Sequence, residues 1–145
     1  MDPEILQKME LVQDRQWWFR ARREILVERI WREAPEQARI LDIGSGAGAN
    51  LAAMKKRIPK SHLTGLDSNL ICREACRRQG FRVIDGDVEE LDFDNSSFEF
   101  ITMLDVLEHL ESPERALEEA YRVLVPGGRM LVTVPAFQFL WSGHD

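Results

Sequence analysis

Cysteine is nearly missing from this chain: Cys72 and Cys76 are the only two in 145 residues. They stand four apart on a segment that reads as one helix, which rules out a disulfide framework. No His or Cys is spaced to complete a metal site with them, so two half-buried thiols on a helix face is the reading the spacing favours. Basic charge is also short, with 19 Lys and Arg against 25 Asp and Glu and a net charge of −6. Nucleic-acid backbones call for clustered Lys and Arg, so no nucleic-acid partner is expected. No apolar run is long enough to span a bilayer, and Met1-Asp2-Pro3-Glu4 lacks the basic and apolar regions of a secretory signal. The expectation is a cytoplasmic protein without a membrane span. Internal repeats and low-complexity linkers are missing as well.

The composition that remains, 44% hydrophobic and 30% charged, suits one folded domain with a real core. From residue 39 onward short β-type runs alternate with helical patterns, the signature of βαβ units and a parallel sheet. The strands are expected at 39–43, 62–67, 81–84, 98–104 and 129–134. Between the first two, a helix runs to about Arg57, with Leu51, Met54 and Ile58 on one face and Pro59 as its stop. Ser68 is the expected N-cap of the next helix, which ends at Gly80. Ser112-Pro113-Glu114 opens a helix running to Leu124, and Pro126-Gly127-Gly128 turns the chain into the fifth strand. Residues 1–35 form a separate N-terminal segment of one or two amphipathic helices containing Trp17-Trp18-Phe19. That cluster is expected to pack on the domain that follows (36–145). The sharper alternative is a lid over a substrate pocket, with Arg20, Arg22 and Arg23 meeting an acidic acceptor.

A strand ending in Asp42 is followed by glycines at 44, 46 and 48, with Ser45 between the first two, and then by a helix. Gly44 permits a sharp turn out of the strand. Gly46 removes a Cβ where a ligand comes close, and Gly48 lets the helix pack tightly on the strand. The free N–H groups at the helix start attract a polar or anionic group. Gly44, Gly46 and Ala49 also fit a looser dinucleotide fingerprint. The acid two residues before the first glycine decides between the two patterns. A carboxylate at Asp42 repels a pyrophosphate and suits an ammonium group. Asp67, after the second strand, is placed to accept hydrogen bonds from ribose hydroxyls, and Asp87, after the third, from an exocyclic adenine amine. In a parallel sheet all three fall at one carboxyl edge. A lone aspartate there is most often solvated, whereas three after successive strands favour a site.

Ile40-Leu41-Asp42-Ile43-Gly44-Ser45-Gly46-Ala47-Gly48 resembles the first motif of class I S-adenosylmethionine-dependent methyltransferases. Leu63-Thr64-Gly65-Leu66-Asp67-Ser68, Gly86-Asp87-Val88, Asp105-Val106-Leu107-Glu108-His109-Leu110 and Leu124-Val125-Pro126-Gly127-Gly128 resemble their later motifs, in family order. The similarity is greatest to the branch called methyltransferase type 11. It implies an α/β, Rossmann-like doubly wound sheet of order 3-2-1-4-5, with S-adenosylmethionine as cofactor and S-adenosylhomocysteine as product. It further implies that Asp42, Gly44, Ser45, Gly46 and Gly48 surround the methionine end. Asp67 would bind the ribose with Ser68 and Asn69 beside the adenine, Asp87 and Val88 would touch the adenine ring, and Leu104 and Asp105 would lie near the methionine portion.

The expected function is methyl transfer to a small-molecule acceptor, with His109 as the one candidate general base near the correct edge. The bland reading of His109 is a residue that caps or packs in its loop. Relative to the family's seven strands the sequence stops soon after the fifth, so a C-terminally truncated core with an exposed fifth strand, open to pairing in a homodimer, is expected. Two alternatives stand beside the lead: a module that binds the cofactor without turnover, and a fragment of a nicotinamide-dependent oxidoreductase.

Overall fold

The computed structural model describes residues 17–135. The described residues open with α1 (Trp17–Glu33) and continue through β1 (Arg39–Ile43), α2 (Ala49–Arg57), β2 (His62–Leu66), α3 (Leu70–Arg78) and β3 (Arg82–Ile84). After a helix-free connection come β4 (Phe98–Leu104), a single 3-10 turn at Leu107–His109, α4 (Pro113–Val123) and β5 (Leu124–Thr133). The five strands form one sheet of order β3-β2-β1-β4-β5, every pair parallel, as the sequence implied. A parallel sheet is covered on both faces, which is why its strands read as apolar runs rather than alternating ones.

Adjacent residues of each strand feed opposite cores. Ile40 and Phe100 turn to the face covered by α1, α2 and α3, where they meet Val27, Ile30, Leu51, Met54 and Cys76. Leu41, Ile43, Ile101 and Met103 turn to the other face and pack on Ala116, Ala120 and Val123 of α4, with Val88 and Leu91 of the β3–β4 connection. That connection has no helix of its own, and Arg122 of α4 holds it. Its guanidinium donates to the carbonyls of Leu91 (2.8 Å) and Phe93 (2.7 Å) and is itself oriented by Glu119. The α1 helix crosses the first face antiparallel to the strands. Glu33 at its end pairs with Arg129 midway along β5, and Arg22 near its start reaches Thr133 at the end of β5.

Several boundaries differ from expectation. Asn69, not Ser68, caps α3: its side-chain oxygen accepts from the N–H groups of Ile71 (2.9 Å) and Cys72 (3.3 Å). An Asn one residue nearer the helix has the geometry to reach both orphan donors. The strand β5 pairs from Leu124, and Pro126-Gly127-Gly128 is absorbed within it as a register shift against Phe98 and Phe100 rather than standing before it as a turn. Trp17 and Trp18 correct the expectation of a packed cluster, being 77% and 57% exposed, while Phe19 is half-buried. The helical repeat explains this, because Val27 and Ile30 claim the core-facing stripe and Trp17 and Trp18 fall outside it. Expectations for residues 1–16 and for the chain after residue 135 lie outside the described residues. No helix among the described residues is long and apolar enough to cross a membrane.

Candidate functional site

The site is built at the carboxyl edge of β1, where the chain reverses direction across the sheet between β1 and β4. Ligands in open parallel sheets bind at such a switch point. Asp42, the fourth residue of β1, is 1% exposed. Its neighbour in register on β4 is Thr102, whose hydroxyl donates to Asp42 Oδ1 at 2.6 Å. Oδ2 has no hydrogen-bond partner. Burial pushes the Asp42 carboxyl up to about 7. The Thr102 bond pulls against that shift, and the nearby charge of Asp67 adds to it.

The glycine loop then leaves the sheet. Gly44 takes φ +70, and a Cβ there would stand 2.5 Å from Val106 Cγ2, so the loop and the segment after β4 touch. A Cβ on Gly46 would meet nothing within 4 Å, which marks open space over the loop. Gly48 takes φ +94, and its crowding neighbour is Cys76 Sγ on α3, at 2.7 Å from a built Cβ, rather than the strand. Cys76 is buried with its thiol pushed up to about 11, mainly by burial and next by the Asp42 charge, so it is a space-filling group rather than a nucleophile. Ser45 is buried beside it, and its hydroxyl makes no hydrogen bond of ordinary geometry.

Asp67 follows β2 and closes the loop from the other side. Its Oδ2 accepts from the Gly46 N–H at 2.8 Å and its Oδ1 from the Asn69 N–H at 2.8 Å. The buried guanidinium of Arg73 holds the Asp67 carbonyl at 2.9 Å and pairs with Asp85. Each carboxylate oxygen keeps a second lone pair for a ligand. Asp42 and Asp67 are thus brought together around the glycines. Asp87 shares the edge but is exposed, and its carboxylate accepts from the Glu89 N–H at 2.8 Å; no contact among the described residues links it to the other two. Val88 is buried in the core, Ser68 is exposed, and the Asn69 side-chain oxygen is used by its helix. Leu104 is half-buried at the end of β4, and His109 is exposed on the 3-10 turn.

Three features of this edge were not foreseen. Thr102 is the single hydroxyl in an apolar strand, facing the strand that ends in an acid, and that pattern could have flagged it. Glu108 carries one buried carboxylate oxygen with no hydrogen-bond partner. Asp105 takes φ +57 and is clasped from two sides by Arg22 and Thr133, a network no local sequence signal announces.

S-adenosylmethionine fits this donor set. The space over Gly46 is open, its N–H is held by Asp67, and the buried Asp42 Oδ2 and Ser45 Oγ have no hydrogen-bond partner of ordinary geometry. A family model described as methyltransferase domain matches residues 41–132. The chain belongs to the class I S-adenosylmethionine-dependent methyltransferases, type 11 branch. S-adenosylmethionine is the cofactor of that family. Among relatives of this methyltransferase domain, a demethylmenaquinone methyltransferase of Thermus thermophilus is 32% identical over 125 residues, covering 82% of this chain and 54% of that protein. A 2-methyl-6-phytyl-1,4-hydroquinone methyltransferase of Oryza sativa subsp. japonica is 30% identical over 107 residues, covering 71% of this chain and 31% of that protein. The chain therefore spans about a third to a half of the length of these relatives. A proposed S-adenosyl-L-methionine-dependent methyltransferase of Methanococcus maripaludis superposes with TM-score 0.79 over 90% of this chain and 63% of that one, at 22% identity, which shows the shared fold.

Proposed function

We infer that this domain binds S-adenosylmethionine over its glycine loop and directs methyl transfer to a small-molecule acceptor of the hydroquinone class. The observation that carries the binding is the open space over Gly46, whose N–H is held by Asp67, together with the unpartnered buried oxygen of Asp42. The name of the Oryza relative supplies the acceptor class, a hydroquinone, and that of the Thermus relative names a quinone. When bound, the cofactor supplies an activated methyl group on a sulfonium centre. The protein's task is to line up the acceptor and exclude water, a contribution of about 7–11 kcal/mol in favourable cases.

In this reading Asp67 accepts from the ribose hydroxyls with the lone pairs its backbone bonds leave free. Asp42 faces the ammonium end through the buried loop, with Gly44, Ser45, Gly46 and the helix start at Gly48 bordering the methionine portion. Ser68, Asn69, Asp87 and Val88 border the adenine, and Leu104 and Asp105 border the methionine portion. His109 accepts the proton of an acceptor hydroxyl, and replacing it with Ala is expected to lower kcat at least about tenfold without changing cofactor affinity.

Isothermal titration tests the reading directly. S-adenosylhomocysteine is expected to bind with micromolar or tighter affinity and NAD not at all. Binding of NAD together with indifference to S-adenosylhomocysteine would reverse the conclusion.

A further inference from the structure

Among the described residues Arg73 is the one buried cation, at 6% exposure. Taking a guanidinium out of water is costly unless its donors are met, and an apolar side chain would fill the same space without that cost. Here the cost is not fully offset, because Nε is buried without a partner. The other two nitrogens are directed at two separate turns. Nη1 donates to the Asp67 carbonyl at 2.9 Å and lies 2.8 Å from Asp85 Oδ1, and Nη2 donates to Asp85 Oδ2 at 3.0 Å. A charge kept in a poor place for stability calls for another use.

The two turns it joins are those that follow β2 and β3 at the carboxyl edge. Asp67 is held there at each of its polar groups. Its carboxylate oxygens accept from the N–H groups of Gly46 and Asn69, and its own N–H donates to the Ile84 carbonyl at 3.2 Å. Its carbonyl is the group that Arg73 holds, and this is the one of those bonds that a side chain from another turn of the chain supplies. On the other side, β3 is an edge strand of three residues, with few ladder bonds to fix the turn after it. The α3 helix supplies that support twice over: Arg77, four residues beyond Arg73, donates to the Val83 carbonyl at 3.0 Å, and Arg73 takes Asp85. The exposed carboxylate of Asp85 is thereby committed to Arg73.

We propose that Arg73 is a positioning residue for the cofactor: by bridging the Asp67 carbonyl to the Asp85 carboxylate it holds the Asp67 carboxylate in the orientation that accepts the ribose hydroxyls, and so sets the preference of the site for a ribose over a deoxyribose nucleoside. The proposal rests on the ribose role given to Asp67 above and deepens it. Arg73 is too deeply buried to meet the ligand and acts through Asp67. An acceptor already fixed in place loses less freedom on binding than a mobile one, and that difference appears as affinity for the group it accepts from.

The test is isothermal titration of the whole chain with S-adenosylhomocysteine and with its 2′-deoxy analogue. The wild type is expected to bind both and to prefer the ribose form at least tenfold. R73M is expected to weaken S-adenosylhomocysteine at least tenfold and the deoxy analogue less than threefold, so that the preference collapses. R73K should recover part of the loss, because an ammonium reaches the Asp67 carbonyl or Asp85 but lacks the fork that serves both. D85A, which changes an exposed side chain, should show a smaller loss of the same kind, and it carries the test if R73M does not fold. In a D67A background R73M should change the affinity less than twofold, the mark of two residues acting as one. Losses that fall equally on both ligands, or no loss at all, overturn the proposal. A wild type that binds the two ligands alike overturns the ribose role of Asp67 and the proposal with it, and leaves cofactor binding standing. A wild type that binds neither removes the methyltransferase reading first.

Discussion

Asp42 occupies a place where charge is hard to keep. It is buried, one oxygen has a single hydroxyl donor and the other has none, so its carboxyl titrates near 7 rather than near 3.8. The folded chain then holds a proton that the unfolded chain has released between those values. The stability this lends is present below the unfolded value and is lost as pH rises through about 7. The D42N variant lacks that titration. Its stability relative to wild type, without cofactor, should therefore rise between pH 4 and pH 8 by on the order of a few kcal/mol. Denaturant unfolding of both proteins across that range measures the gap, and a constant difference would contradict the assignment. At Asp67 the expectation concerns binding. D67A leaves the Gly46 and Asn69 N–H groups without their acceptor and, in the proposed binding mode, removes the ribose contact. S-adenosylhomocysteine should weaken at least about tenfold, or about 1.4 kcal/mol, in a titration at pH 7.5. Both aspartates were legible in the sequence because each stands at the carboxyl end of a strand, Asp42 within β1 and Asp67 just after β2. Thr102 became visible only once register set it beside Asp42.

At the scale of elements, the contact between the glycine loop and α3 is a close one. A methyl group on Gly48 would stand 2.7 Å from Cys76 Sγ and would sit on a backbone at φ +94. G48A should cost roughly 1–3 kcal/mol, read from the denaturation midpoint. The G48A/C76A double variant should recover the steric part but not the backbone strain. Full recovery would mean that the left-handed backbone conformation carries no cost. The β3–β4 connection depends in the same way on one residue of α4. R122A removes the donors to Leu91 and Phe93, and it should speed amide exchange across residues 91–97 with little change in β1 or β2. The sequence announced the strands and helices because their patterns are local. It misplaced the α3 cap by one residue and the start of β5 by several, since those ends are set by what the neighbouring chain offers.

For the whole molecule, a ligand that binds only the folded state stabilises it by mass action. S-adenosylhomocysteine at a hundred times its dissociation constant should add about 2.7 kcal/mol, visible as a raised Tm, and NAD at the same concentration should leave Tm unchanged. The amino-acid sequence alone determined the fold class, the strand order through its motifs, the glycine loop, and the aspartates at the ends of β1 and β2. Each of these follows from short-range spacing on a repeating βα pattern. It could not determine that Arg22 closes on Asp105 and Thr133, partners 83 and 111 residues away. Nor could it say that Trp17 and Trp18 stand outside the core or that Asp42 shares its proton balance with Thr102. Those outcomes depend on which surfaces meet when α1 lies across the sheet and β1 pairs with β4, and only the folded chain brings such distant residues within hydrogen-bond reach.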